Sequence, residues 1–254
     1  MNSLFDISGK TALITGSGQG LGYTLATGLA KAGCRIILND VDPLRLDAAV
    51  KQLSSEGYEV FGAAFDVSNE EQVRAGIDSL KGSVEKIDIL VNNAGIQIRG
   101  MLEDFDTAKW DLMMNVNLKG VFVVSKVLVK SMIEANAGKI INICSIQSEL
   151  ARPSIAPYTA SKGGVRNLTK GMATDWARHN IQINGIAPGY FKTAMTKSLY
   201  EDKEFDAWLC NRTPSNRWGN PEELVGALIF LSSDASSYVN GQLLYVDGGM
   251  TACV

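Results

Sequence analysis

Thr11-Ala12-Leu13-Ile14-Thr15-Gly16-Ser17-Gly18-Gln19-Gly20-Leu21-Gly22 is the stretch on which the reading of the fold turns. Thr11 to Thr15 is a short, unbroken apolar and β-branched run, the pattern of a strand buried on both faces. Leu21 to Ala32 repeats apolar residues at helical spacing, and Gly33 ends it as a C-terminal cap. The turn between them does not satisfy GxGxxG, because Leu21 stands where the last glycine would fall; glycines at 16, 20 and 22 form a wider pattern. Glycines there let a backbone approach a pyrophosphate, which the helix N-terminus then favours. Turns need glycine in any case, so it is the position between strand and helix that carries the reading. Gly16, Ser17, Gln19, Gly20, Leu21 and Gly22 are therefore candidate dinucleotide contacts.

The same alternation continues to the end of the chain. Strands are expected at Arg35 to Leu38, Tyr58 to Phe65, Ile87 to Val91, Lys139 to Ile143, Ile181 to Ala187 and Gln242 to Val246. Helices are expected at Pro43 to Ser55, Asn69 to Lys81, Trp110 to Ala135 with a gap around Gly120, Ala156 to His179 and Pro221 to Leu231. Continuous apolar strands alternating with helices give an α/β fold: one Rossmann-type, doubly wound domain over residues 1–254, with a parallel seven-stranded sheet and helices on both faces. Residues 1–100 are expected to serve the cofactor, and 101–254 catalysis and substrate. Pro188 to Trp218 breaks the rhythm and reads as a mobile, substrate-covering insertion after a strand.

At 254 residues one domain is allowed, and 46% hydrophobic residues suffice for a large core. A net charge of −3 without a long basic run argues against nucleic-acid partners. No apolar stretch approaches the ~18 residues that span a bilayer. Met1 to Lys10 has no charged region followed by an apolar core, so no leader is expected; together these read as cytoplasmic. Four scattered cysteines and a single histidine, His179, offer no metal-ligand cluster, so no metal is expected. Cys144 adjoins Ser145 but lacks support for a Cys–His pair, so reduced, inert thiols are the better reading.

Tyr158 and Lys162, four apart, share one face of a helix. Ser145 directly follows an apolar strand, so a hydroxyl, a phenol and an ammonium meet at a strand's C-terminal end. Free tyrosine titrates near ~10 and is a poor base at neutral pH, but a neighbouring ammonium lowers that value. Tyr158 is then the general acid/base, and Ser145 stabilises charge on the reacting oxygen. Asp40 closes the second strand, where a carboxylate takes the adenosine ribose hydroxyls and favours NAD over NADP. Asp42, just before Pro43, is the better helix cap, which leaves Asp40 free. Asp66 and Val67 lie where adenine is expected. Asn93, Ala94 and Gly95 let the cofactor pass close to the backbone, while Asn92 serves equally as an amide tying adjacent strands together.

Gly16/Gly20/Gly22, Asn92-Asn93-Ala94-Gly95, Asn117, Ser145, Tyr158/Lys162, Pro188-Gly189 with Thr193, and Val246-Asp247-Gly248-Gly249 together resemble the short-chain dehydrogenase/reductase family over nearly the whole chain. The resemblance implies a catalytic set of Asn117, Ser145, Tyr158 and Lys162. Lys162 would also hold the nicotinamide ribose, and Asn117 a water that relays protons to solvent. Pro188, Gly189, Phe191 and Thr193 would orient the nicotinamide. It further implies a homotetramer, with the last helix and strand and the apolar tail Gly249 to Val254 near a partner subunit. Asn93 to Gln97, Asn142 to Leu150, Ala177 to Gln182, Ala187 to Thr193 and Ala207 to Cys210 are similar to the branch acting on sugar acids, which uses NADP as well as NAD. A sugar-acid carboxylate needs a cation: Arg99 is the best placed, with Arg152, Lys192 and Gln147 as further contacts. The alternatives are a 3-oxoacyl-carrier-protein reductase, for which Lys119, Lys126 and Lys130 make a partial docking face, another polyol dehydrogenase, or a non-catalytic dinucleotide sensor.

Overall fold

The computed structural model describes residues 4–253; the leader expectation at Met1 to Ser3, and the last tail residue Val254, fall outside them. Seven parallel strands stand in the order β3-β2-β1-β4-β5-β6-β7. They are β1 (Thr11–Ile14), β2 (Arg35–Asp40), β3 (Val60–Ala64), β4 (Ile89–Asn92), β5 (Gly138–Ile143), β6 (Ile181–Pro188) and β7 (Leu243–Val246). The helices are α1 (Gly20–Lys31), α2 (Pro43–Ser55), α3 (Glu70–Asp78), α4 (Thr107–Met114), α5 (Gly120–Ala135), α6 (Ala156–Trp176), α7 (Lys197–Tyr200), α8 (Lys203–Arg212) and α9 (Val225–Ser232). Strand order reverses between β1 and β4, so the crevice of a doubly wound sheet opens there.

The two faces of the sheet follow from strand alternation. Ala12, Ile14, Ile36 and Leu38 enter one core with the inner faces of α1, α2 and α9. Leu13, Ile37, Leu90 and Ile140 enter the other with α5 and α6. Each fully buried aliphatic side chain contributes about 1.5–3 kcal/mol. Both faces of β1 and β4 are covered, which is why their sequences read as continuous apolar runs. Asn92 ties strands and helices together: its amide donates to Asn142 Oδ1 (2.8 Å) and Ser125 Oγ (2.9 Å). Asn142 donates in turn to Thr169 Oγ1 (2.9 Å).

Three expectations are corrected. Tyr58 to Phe65 shortens to Val60–Ala64, because β3 is an edge strand with β2 as its only paired neighbour. The gap expected at Gly120 is not a break: a π turn, Asn115–Lys119, joins α4 to α5 without interruption. Gly120 is there for close packing, since a Cβ would lie 2.7 Å from Val67 Cγ2. The joined helix, Thr107–Ala135, is therefore long and apolar enough to cross a membrane by length and composition, contrary to the expectation that no stretch is. Half of its most apolar window is buried within the protein, where Val121, Val124, Leu128 and Met132 fill the core. The 188–218 segment carries α7 and α8. The tail folds back on its own chain: Met250 packs with Ile146, Leu209 and Trp218, and Thr251 bonds Asp247 Oδ2.

Candidate active site

A cavity of about 660 Å³ opens at the C-terminal ends of β1, β2, β4, β5 and β6. The glycine turn forms its floor. Gly16 sits at φ +61°, where a Cβ would also lie 2.8 Å from Ala94 Cα. A Cβ on Gly22 would lie 2.3 Å from the Gly16 carbonyl oxygen. The turn is thus shaped for a chain that presents only backbone. Gln19 begins α1 in extended conformation with no side-chain cap, so the first N–H groups of the helix are left to an anion. Gly16, Gln19, Gly20, Leu21 and Gly22 line the cavity. Ser17 does not, and this corrects its assignment as a cofactor contact. Its hydroxyl donates to the Ile14 carbonyl (2.7 Å) and accepts from the Asn39 N–H (3.0 Å), closing β1 onto β2.

Asp40 lines the cavity with 6% of its surface exposed, but it is not free. Asp42 does cap α2, accepting from the Leu44 and Arg45 N–H groups. Asp40 Oδ1 nonetheless accepts from the Asp42 N–H (3.0 Å) and pairs with Arg45 Nη2 at 3.4 Å. Arg45 also meets Asp42 Oδ2 at 3.3 Å, and its Nε is buried without a partner. Asp66 and Val67 lie on the wall beyond, the Asp66 carboxylate accepting from Ser68. Asn93, Ala94 and Gly95 form the middle of the wall. Thr15, absent from the sequence-based set, holds them: its Oγ1 accepts from the Asn93 and Ala94 N–H groups, both at 3.0 Å. Pro188, Gly189, Phe191 and Thr193 line the far side.

Ser145, Tyr158 and Lys162 share this cavity. Ser145 Oγ accepts from the Gln147 N–H (3.1 Å), so its own proton is available to a ligand. Lys162, 5% exposed, donates to the Ile143 carbonyl at 2.7 Å, and its Nζ lies 5.8 Å from the Tyr158 ring centroid. Burial pushes the Tyr158 phenol up to about 12, opposed by the Ser145 hydroxyl. The Lys162 ammonium is turned to the Ile143 carbonyl, and burial lowers its own pKa. Asn117 is fully buried in the π turn and does not face the cavity. Its amide accepts from the Ile96 N–H (2.8 Å) and donates to the Ile96 carbonyl (2.9 Å) and Ser161 Oγ (3.1 Å). Its side chain thus clasps the Ile96 peptide. Burial pushes the Cys144 thiol up to about 11, as an inert role requires.

At the other end of the cavity, Gln147 and Arg152 line the wall, each with an unpartnered buried atom, Gln147 Oε1 and Arg152 Nε. Arg99, the preferred cation from the sequence, is exposed and off the wall; Lys192 is exposed as well. Arg99 remains close enough to Arg152 for the two charges to repel, which with burial lowers its pKa. Tyr190, unforeseen from the sequence, lines the wall within reach of both charges: burial raises its phenol, and both guanidiniums pull it down. Arg45, Val41, Gln97 and Tyr190 also line the cavity, each within five residues after a strand's C-terminal end, the one signal that could have found them. One cavity therefore joins an anion-accepting glycine turn, a neutral buried phenol beside a serine hydroxyl, and an unpaired guanidinium.

The sequence model described as enoyl-(acyl carrier protein) reductase matches residues 16–251. The chain is 54% identical over 254 residues to the 5-keto-D-gluconate 5-reductase of Escherichia coli K12, covering all of both chains. It is 55% identical over 248 residues to the gluconate 5-dehydrogenase of Gluconobacter oxydans 621H, covering 98% of this chain and 97% of the other. The crystal structure of a gluconate 5-dehydrogenase from Burkholderia cenocepacia J2315, solved with NADP and tartrate, superposes with a TM-score of 0.96 at 54% identity, covering 98% of each chain.

Proposed function

This chain belongs to the short-chain dehydrogenase/reductase family, and from that premise we propose that it interconverts the C5 alcohol and ketone of a sugar acid, D-gluconate and 5-keto-D-gluconate, with NAD(P). The observation that carries the reading is that Ser145, Tyr158, Lys162 and Arg152 open on the same cavity as the glycine turn. Relatives spanning the whole chain, named for this substrate pair, support it.

When bound, the dinucleotide supplies or accepts the hydride. Gly16, Gln19, Gly20, Leu21 and Gly22 would hold its pyrophosphate, Asp40 and Arg45 its adenosine ribose, and Asp66 and Val67 its adenine. Asn93, Ala94, Gly95, Lys162, Pro188, Gly189, Phe191 and Thr193 would hold the nicotinamide half. Tyr158 Oη gives its proton to the carbonyl oxygen in reduction and takes it back in oxidation. A phenol held neutral by burial suits the donor role. Ser145 donates to the same oxygen and stabilises its developing charge. Gln147 Oε1 accepts from a sugar hydroxyl, Arg152 binds the carboxylate, and Asn117 positions the Ile96 peptide. Asp40 alone would favour NAD; Arg45, partly neutralising it, makes room for NADP, the cofactor of the 54% identical structure. A homotetramer belongs to the same reading, supported by exposed Leu112 and Phe122 on α4 and α5 and Leu244 on β7. The cytoplasm does too, supported by free Cys34, Cys144, Cys210 and Cys253.

The test is nicotinamide absorbance with 5-keto-D-gluconate against an acetoacetyl thioester. The keto acid is expected to turn over faster, and Tyr158→Phe to lose at least about 10³ in kcat with cofactor affinity within a few-fold. Faster thioester reduction overturns the substrate, and an active Tyr158→Phe overturns the mechanism.

A further inference from the structure

We propose that Phe205, which does not line the cavity, positions the Arg152 guanidinium and so sets the preference for a carboxylate-bearing substrate. The proposal rests on the sugar-acid reading above and adds to it the element that reads the acid group. Arg152 sits in the loop before α6, next to Pro153. The Gly100 N–H donates to the Ser154 carbonyl at 3.0 Å, which ties this loop to the one carrying Arg99. Two guanidiniums are thereby brought together, and neither forms an ion pair with a carboxylate among the described residues. Like charges held together without a counter-ion are unfavourable until an anion arrives.

Arg152 is nevertheless held in place. Its Cζ lies 5.4 Å from the centroid of the Phe205 ring. The ring is itself fixed by Tyr190 at 5.8 Å, Trp208 at 5.2 Å and Trp218 at 6.3 Å between centroids. Its helix α8 is anchored at both ends of the contact: Asp202 accepts from the Glu204 and Phe205 N–H groups, and Asp206 Oδ1 accepts from Trp218 Nε1 at 2.7 Å. An aromatic face attracts the cation and occupies the guanidinium's flat side, leaving its in-plane N–H donors. Those donors are the ones a carboxylate takes in pairs. The insertion over the site therefore contributes to acid recognition through a side chain that never meets the substrate.

The test compares 5-keto-D-gluconate with L-sorbose, in which a hydroxymethyl group replaces the carboxylate, in the wild-type protein and in Phe205→Met and Phe205→Tyr. Methionine preserves volume but has no aromatic face, which limits misfolding. Phe205→Met is expected to raise KM for the keto acid about tenfold with kcat within about twofold, to leave sorbose turnover within about twofold, and Tyr at this position to restore the acid preference. If Phe205→Met does not fold, Phe205→Leu, which also lacks an aromatic face, is expected to show the same selective loss and is read in the same way. Acid preference in the wild type that survives in Phe205→Met, or equal loss on both substrates, overturns this proposal alone. No acid preference in the wild type overturns it together with the sugar-acid reading.

Discussion

Arg45 stands between two carboxylates, 3.4 Å from Asp40 and 3.3 Å from Asp42, on the wall where the adenosine ribose is proposed to lie. Only the hydrogen-bonding partner of the ribose distinguishes the cofactors there. Asp40 can accept from a 2′-hydroxyl and repels a 2′-phosphate; Arg45 does the reverse. Arg45→Ala is therefore expected to lower kcat/KM with NADPH by about 10- to 100-fold, the loss of a charge-assisted contact, while NADH changes by less than about threefold. Equal effects on both cofactors would show that Arg45 serves only as the partner of Asp40. Legibility at this scale was uneven. The helical spacing of Tyr158 and Lys162 and the strand-end position of Ser145 are local properties, and they were read from the chain alone. The pairing of Asp40 with Arg45 depends on where a flexible side chain settles after α2 has packed. So does the turn of Lys162 toward the Ile143 carbonyl.

The π turn between α4 and α5 shows the same limit for elements. Its sequence suggested a break, because Gly120 disfavours a helix interior. Packing reversed that: the glycine lets the helix approach Val67, and the wider turn directs Asn117 to the Ile96 peptide. Asn117→Ala would leave the half-buried Ile96 N–H and carbonyl without their side-chain partner. A loss of about 2 kcal/mol, or roughly 5 °C in Tm, is expected, with weaker cofactor binding as the 93–96 segment loosens. Thermal unfolding and cofactor titration check this; an unchanged Tm would mean that the clasp is redundant. The Asp42 cap was more legible than this turn: it caps α2 as expected, because an Asx side chain reaches only its own first turn.

At the scale of the whole molecule, the parallel sheet separates the site from a second buried charge. Lys139 enters β5 at the opposite end of the sheet, 7% exposed, with Ser236 Oγ at 3.4 Å. Burial and Lys10 lower its pKa to about 8, against a smaller opposing pull from Asp234. An unfolded lysine holds its proton to about 10.5. Between roughly pH 8 and 10.5 the unfolded chain therefore binds more protons than the folded one, and stability contributed by this group rises with pH. Below pH 8 the buried charge carries its full penalty. Lys139→Met is expected to stabilise the protein by about 1–2 kcal/mol at pH 7, with the difference closing by about pH 10 and activity unchanged. Denaturant unfolding of both proteins at the two pH values checks this, and a destabilised variant at pH 7 would refute it. The strand–helix alternation, the glycine turn, the Asp42 cap, the strand-end position of Ser145 and the shared helix face of Tyr158 and Lys162 were determined by the sequence alone, because each depends on backbone sterics and spacing within a few residues. The tertiary structure decided that Arg152 rather than Arg99 lines the cavity, that Phe205 holds it, and that Ser17 and Asn117 act as clasps. Those outcomes join residues distant in the chain, and they arise only when loops from different strand ends pack around one crevice.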